Sequence, residues 1–175
     1  MADNAKSHPM REIKIEKVLL SAGGKDAELE KSRKLLELLS QGKPQVIAST
    51  RRIPDFKVRP GLEVGTRVTL RGKKAIDLLK RLLVAIDNKL KQKQIEDNHF
   101  SFGIKEYIEI PEMKYQREIG IKGLNVTVVF TSTGIRVKRK KIRTAKIPKK
   151  QQVLKQEIID YLQNNFKTTV TGGKK

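Results

Sequence analysis

Apolar residues recur in this chain at two spacings that alternate along it, and this alternation limits the available folds more than any other feature. From Arg11 the spacing is two: Ile13, Ile15 and then Val18-Leu19-Leu20, with Lys14, Glu16 and Lys17 between them. Successive side chains of a strand point to opposite faces, so this reads as a first strand. Gly23-Gly24 break it, and Asp26 is placed to cap a helix carrying Leu29, Ser32, Leu35, Leu36 and Leu39 on one face. Gly42-Lys43-Pro44 stop that helix. Residues 45–49 form a short strand candidate, and residues 62–70 alternate again. Arg71-Gly72 then open a long helix in which Ala75, Leu79, Leu82, Ile86 and Leu90 recur at steps of three and four.

The second half repeats the scheme. Residues 91–98 read as polar and solvated, Phe100, Phe102 and Ile104 share one face of a short strand, and residues 109–116, with Pro111, read as loop. Residues 121–130 end in a β-branched run, the clearest strand signal of this half. A final amphipathic helix over 152–166 directs Leu154, Ile158, Leu162 and Phe166 inward. There is no internal repeat and no long interior linker. The order β-α-β-β-α-β-β-α predicts an α+β fold, a mostly antiparallel sheet with helices packed on one face and the other face free. The expected organisation is a flexible arm over 1–10, one domain over 11–167 including a basic extension at 135–150, and a flexible tail over 168–175.

Composition then bears on function. The 175 residues include 39 Lys+Arg against 19 Asp+Glu, a net charge of +20. A chain of about this length buries about 68–70% of its unfolded surface, so no disulfide or metal staple is needed. There is no cysteine, hence no disulfide, thiolate metal site or cysteine nucleophile, and a reducing compartment such as the cytosol fits. No apolar run approaches the roughly 18 residues of a membrane span, and residues 1–11 carry no signal-peptide apolar region. The excess of cations points to a polyanionic partner, because neutralising phosphate releases condensed counterions.

Enzymatic readings fail for want of groups. His8 lies in the arm and His99 in a polar loop, with no spacing that forms a metal site or a nucleophile–base pair. The pairs Gly24-Lys25, Gly42-Lys43 and Gly72-Lys73 lack the glycine spacing and the Ser/Thr of a phosphate-binding loop. Glu109 and Glu112 read as surface charge. The expectation is a non-enzyme with no cofactor and no metal. The GIKG at 120–123 matches the loop with which KH modules clamp a nucleotide backbone. That loop joins two helices, however, and here Val126-Thr127-Val128-Val129 follow, so a glycine turn leading into a strand is favoured. Phe100-Ser101-Phe102-Gly103 lacks the leading basic residue and glycine of an RRM strand and reads as core.

Two segments remain. Nine of the fifteen residues at 136–150 (RVKRKKIRTAKIPKK) are Lys or Arg and none is acidic. A solvated face normally mixes both signs, whereas RNA phosphates would order this one. Its candidate RNA contacts are Arg136, Lys138, Arg139, Lys140, Lys141, Arg143, Lys146, Lys149 and Lys150. Bulky apolar anchors for a membrane surface are missing from it. The second segment, residues 50–61 (TRRIPDFKVRPG), is long for a link between two strands. Pro54 and Pro60 stiffen it, Arg51, Arg52, Lys57 and Arg59 charge it, and Ile53, Phe56 and Val58 give it apolar body. A stiff basic finger suits a structured RNA. A surface loop with Phe56 tucked back fits the spacing equally well.

At 53–72 (IPDFKVRPGLEVGTRVTLRG) the sequence closely resembles the universal family of large-subunit ribosomal proteins that bind 5S rRNA, numbered five in bacteria and eleven in eukaryotes. His8-Pro9-Met10-Arg11, Phe100-Ser101-Phe102-Gly103-Ile104-Lys105-Glu106 and residues 115–123 extend the resemblance. The basic run through Lys146-Ile147-Pro148-Lys149-Lys150 is similar to the archaeal–eukaryotic branch. The resemblance implies a structural constituent of the large subunit in the cytoplasm. It would be seated in the central protuberance beside 5S rRNA, other large-subunit rRNA and neighbouring large-subunit proteins. It also implies that the 50–61 loop reaches P-site tRNA through Arg51, Arg52, Phe56, Lys57 and Arg59, and that a small-subunit head protein is met at an intersubunit bridge. Arg11, Lys14, Ser21, Gly23 and Gly24 fall on the expected 5S rRNA side. Ser21-Ala22-Gly23-Gly24 stand where the family usually has Asn and a Gly-x-Gly turn, and Thr131-Ser132-Thr133-Gly134 replace the usual Arg-Pro-Gly. The alternative is a free-standing single-strand RNA-binding or chaperone module that uses the GIKG turn.

Overall fold

A computed structural model describes residues 11–148 and 151–172. The arm over 1–10, with His8-Pro9-Met10, and the candidate contacts Lys149 and Lys150 lie outside the described residues. The element order is β1 (Ile13–Gly23), α1 (Ala27–Ser40), β2 (Gln45–Ala48), β3 (Glu63–Leu70), α2 (Lys73–Val84), β4 (Lys89–Lys91), β5 (Ile95–Glu96), β6 (His99–Ile104), β7 (Leu124–Ser132), α3 (Arg136–Arg139), α4 (Lys155–Phe166) and β8 (Thr169–Thr171). Six strands pair in the order β2-β3-β1-β7-β6-β5, all antiparallel, while β4 and β8 form a separate parallel pair. This is the α+β, mostly antiparallel arrangement that the alternating periods imply.

The central strands decide which face is buried. Val18, Leu20 and Ala22 of β1 stand beside Leu70, Val68 and Thr66 of β3, and Val18 and Leu20 also beside Val128 and Val126 of β7. Val18, Leu20, Ala22, Val68, Val126 and Val128, with Phe100, Phe102 and Ile104 of β6, share one buried cluster with Leu35, Leu36 and Leu39 of α1, Leu78, Leu79 and Leu82 of α2, and Ile158 and Leu162 of α4. The helices therefore cover one face. Phe100 stacks on Phe102 and Phe130 at 5.9 and 5.8 Å, and Tyr161 of α4 meets Phe130 edge-on at 5.5 Å. The two phenylalanines are core residues, as the sequence suggests. Burying each such ring contributes about 1.5–3 kcal/mol.

Several local expectations are corrected. Asp26 precedes α1 but makes no side-chain cap; backbone bonds close the turn, and Ser32 Oγ donates to Gly23 O at 3.2 Å, tying the helix to the end of β1. Helix α2 stops at Val84, because Asp87 and Asn88 both adopt left-handed backbone (φ 54° each), and Leu90 is buried from β4 instead. Residues 91–98 are not simply solvated: Ile95 is buried in β5, and Asn98 organises the next turn. Asn98 Oδ1 accepts from Val153 N at 2.9 Å and Asp97 Oδ1 from Lys155 N at 3.1 Å, so α4 begins at Lys155 and Leu154 faces outward. Thr169–Thr171, assigned to the tail, pair with Lys89–Lys91. A three-residue parallel pair shows no period in the sequence, and its partner lies some 80 residues away, so nothing local announces it.

The GIKG turn leads into a strand. Gly120 has φ 68°, and a Cβ on Gly123 would lie 2.6 and 2.7 Å from the carbonyl oxygens of Lys105 and Ile104. Only glycine lets the backbone pass there on its way into β7. The clamp between two helices that the alternative reading needs is not formed.

Candidate nucleic-acid interface

The face of the sheet turned from the helices follows from the register. Lys17, Leu19, Ser21 and Gly23 of β1 alternate with the buried residues. Beside them lie Gly65, Arg67 and Thr69 of β3, Asn125, Thr127 and Val129 of β7, and His99, Ser101 and Gly103 of β6. Gly23 opposes Gly65, leaving a stretch of paired backbone with no side chains over it. Short hydroxyl, amide and glycine residues dominate, a surface of hydrogen-bonding groups that a bulky polar partner can approach closely. Helices α1, α2 and α4 leave it open; only the strap that includes α3 reaches it, at Val129. This is the face expected to be free, and the period-two signal that locates the core also locates its members, since they are the intervening positions.

At the start of β1 lies the basic extension. Lys14 opposes Thr131 and is paired with Glu12 at 2.8 Å, and Arg11 precedes the strand, exposed. A bulge at Glu16 shifts the β1–β7 register and turns its carboxylate out of the alternation. Arg139 of α3 forms an ion pair with it, drawing the extension onto this end of the sheet. Ala145 N donates to Val137 O and Ser132 Oγ to Gln151 O, closing residues 136–148 into a strap. Arg136, Lys138, Lys140, Lys141, Arg143 and Lys146 have no ion-pair partner among the described residues; all are exposed.

The 50–61 finger stands at the opposite end. Ser49 N donates to Leu62 O and Gly61 N to Ser49 O at its base, and Ile53 and Val58 exchange backbone hydrogen bonds half-way up. The tip is a single 3₁₀ turn over Pro54–Phe56, ended by Lys57 in left-handed backbone. Val58 is buried, whereas Phe56 is 66% exposed, so it is Val58 that tucks back. Arg51, Arg52, Lys57 and Arg59 are exposed, again with no ion-pair partner among the described residues. A groove of about 780 Å³ runs between the finger and the Gly23-Gly24 turn, lined by Ile53, Phe56, Val58 and Val64.

The candidates are thus divided. Arg11, Lys14 and the strap occupy the start of β1; Ser21, Gly23, Gly24 and the finger occupy its end, about 35 Å away at the usual rise of a strand. Elsewhere, the hydrogen bond between Lys34 and Glu118 at 2.7 Å raises the lysine pKa and lowers that of the carboxylate. Burial, and secondarily the charge of Glu12, raises that of Tyr161. Among the described residues no group of three or more His, Asp or Glu side chains is placed to hold a metal ion, and no helix is long and apolar enough to cross a membrane.

Residues 63–161, more than half of the chain, match the family model for the C-terminus of the ribosomal L5 protein family. The chain belongs to the uL5 family. Similar proteins are the large ribosomal subunit protein uL5 of Nanoarchaeum equitans, 44% identical over 162 residues (91% of this chain, 96% of the relative), and that of Sulfurisphaera tokodaii, 37% identical over 177 residues (99% and 100%). That of Picrophilus torridus is 38% identical over 167 residues (93% and 95%). As a uL5 member of the archaeal type, the chain is a structural, RNA-binding constituent of the large ribosomal subunit and not an enzyme.

Proposed function

We propose that the chain holds 5S rRNA against the helix-free face of its sheet, with Arg11, Lys14 and the strap at one end and Ser21-to-Gly24 at the other. The finger, through Arg51, Arg52, Phe56, Lys57 and Arg59, then reaches the P-site tRNA. The observation that carries this reading is a polar sheet face left open by α1, α2 and α4 and flanked at both ends by exposed cations, most of which have no ion-pair partner among the described residues. Such cations lower the free energy of the folded chain only when a polyanion supplies the counter-charge. The mechanism is positioning: phosphate contacts fix register and orientation, and the braced finger docks with little loss of entropy. Membership in the family supports a further contact with a small-subunit head protein at an intersubunit bridge.

The test combines two measurements. Titrating a 5S transcript at several salt concentrations with wild type and with a Lys14, Arg136, Lys138, Lys140 alanine variant should lower the log–log salt slope by about 0.7–0.9 for each phosphate that is no longer neutralised. Ribosomes carrying Arg51, Arg52, Lys57 and Arg59 all changed to Ala should assemble but retain P-site tRNA poorly. An unchanged slope removes the 5S assignment, and unchanged tRNA occupancy removes the role of the finger.

A further inference from the structure

Beneath the strap lies a cavity of about 740 Å³, between the end of β7 and residues 135–148. This is the size range of small-ligand sites. Its lining includes the apolar Val129 and Ile135, the hydroxyl-bearing Thr131 and Thr144, and Lys138 and Lys146, which have no ion-pair partners among the described residues. Glu16, the carboxylate lining it, is neutralised by Arg139. A lining that combines apolar, hydrogen-bonding and cationic side chains matches the three parts of one nucleotide: the faces of a base, its polar edge and its phosphate. A paired base cannot enter, because its faces are stacked and its edge is occupied, so the occupant must be unstacked.

We propose that this cavity receives a single unstacked nucleotide of the bound RNA, with Lys138 and Lys146 on its phosphate. The proposal rests on the RNA-binding reading above and adds to it a preference for a bulged or looped nucleotide over a continuous duplex. The strap then does more than attract phosphate: it forms one side of a cavity with room for a nucleotide.

The full chain is titrated with a paired RNA duplex and with the same duplex bearing one bulged nucleotide. Wild type should bind the bulged RNA about tenfold more tightly, the scale of one base contact. Ala145→Trp and, independently, Ile135→Trp place an indole in the cavity without altering charge; each should remove the preference for bulged over paired RNA, with circular dichroism reporting the fold. Equal affinity of wild type for both RNAs overturns the proposal, as does a preference that survives in both folded variants. Free AMP or UMP bound as tightly as the bulged RNA overturns the assignment of the nucleotide to the RNA. Binding to neither RNA above that to an uncharged polymer defeats the RNA-binding reading itself, a separate result from loss of the bulge preference.

Discussion

Ile53 and Val58 donate a backbone hydrogen bond to each other's carbonyl, both at 3.0 Å, across the tip of the 50–61 finger. Val58 is 6% exposed and Phe56 is 66% exposed, so these two apolar residues of the segment have opposite roles. Val58→Ala should cost about 1–3 kcal/mol, the range between deletion of a methyl and of a larger core group. Amide exchange at Ile53 should quicken with it. Phe56→Ala should change stability by no more than about 0.5 kcal/mol, as for other exposed substitutions. Thermal melts with hydrogen exchange on the two variants check this, and equal effects would mean the finger is not braced through Val58.

Asn98 should be a costly position for its size. Its backbone is left-handed (φ 66°), its carbonyl accepts from Phe130 N at 2.7 Å, and its side chain accepts from Val153 N. Asn98→Ala loses the acceptor and strains the backbone, a combined penalty of about 2–4 kcal/mol. Asn98→Gly keeps the conformation and should recover part of it. Denaturant midpoints of the two variants give the partition.

Gly123→Ala and Gly120→Ala separate crowding from strain. At Gly123 a methyl would meet backbone oxygens at 2.6 and 2.7 Å; at Gly120, with φ 68°, nothing lies within 4 Å. The first should cost at least the ~1–3 kcal/mol of an overpacked site and disturb β7. The second should cost about 1–2 kcal/mol without structural change. Chemical-shift perturbation along β7 distinguishes them.

Charge reversal of Arg136, Lys138, Lys140 and Lys141 to Glu should lower incorporation into large subunits while barely moving the melting temperature, since none of the four has an ion-pair partner among the described residues. Arg139→Glu should do both, because it places a second carboxylate against Glu16. Gradient sedimentation and melting curves suffice. Normal incorporation of the fourfold variant would reduce the strap to solvated surface.

Tyr161 should contribute to the alkaline limb of stability. Its pKa is raised, first by burial and then by Glu12, so the folded state holds the phenolic proton more tightly than the unfolded chain does. The contribution is complete below about pH 10, the ordinary phenol value, and is lost as pH rises through the folded pKa. Tyr161→Phe should flatten this part of the stability–pH curve, measured by denaturant midpoints from neutral pH upward; an unchanged slope would place the loss elsewhere.

Whatever was local in origin could be read directly. The alternation of Val18, Leu20 and Ala22, and the helical steps of Leu35, Leu36 and Leu39, located strands and helices because burial of one face imposes those periods. The glycine turn before β7, the core phenylalanines and the basic strap were equally legible. Legibility failed where the partner is distant in sequence: Leu90 continued the helical period of α2 but is buried from β4, and Leu154 fits the helical face but turns outward because Asp97 and Asn98 hold the backbone at the start of α4.

The amino-acid order alone determined the fold class, the unbalanced positive charge and the two segments that carry it, since period and net charge are sums over neighbouring residues. Tertiary structure alone decided that Arg11, Lys14 and the strap gather at one end of β1 and the finger with Ser21-to-Gly24 at the other. It also set the Glu16 bulge against Arg139 and opened a cavity between them and β7. Those placements depend on strand register and on contacts between residues more than a hundred positions apart, and such pairings leave no local trace because chain closure, not nearest-neighbour preference, selects them.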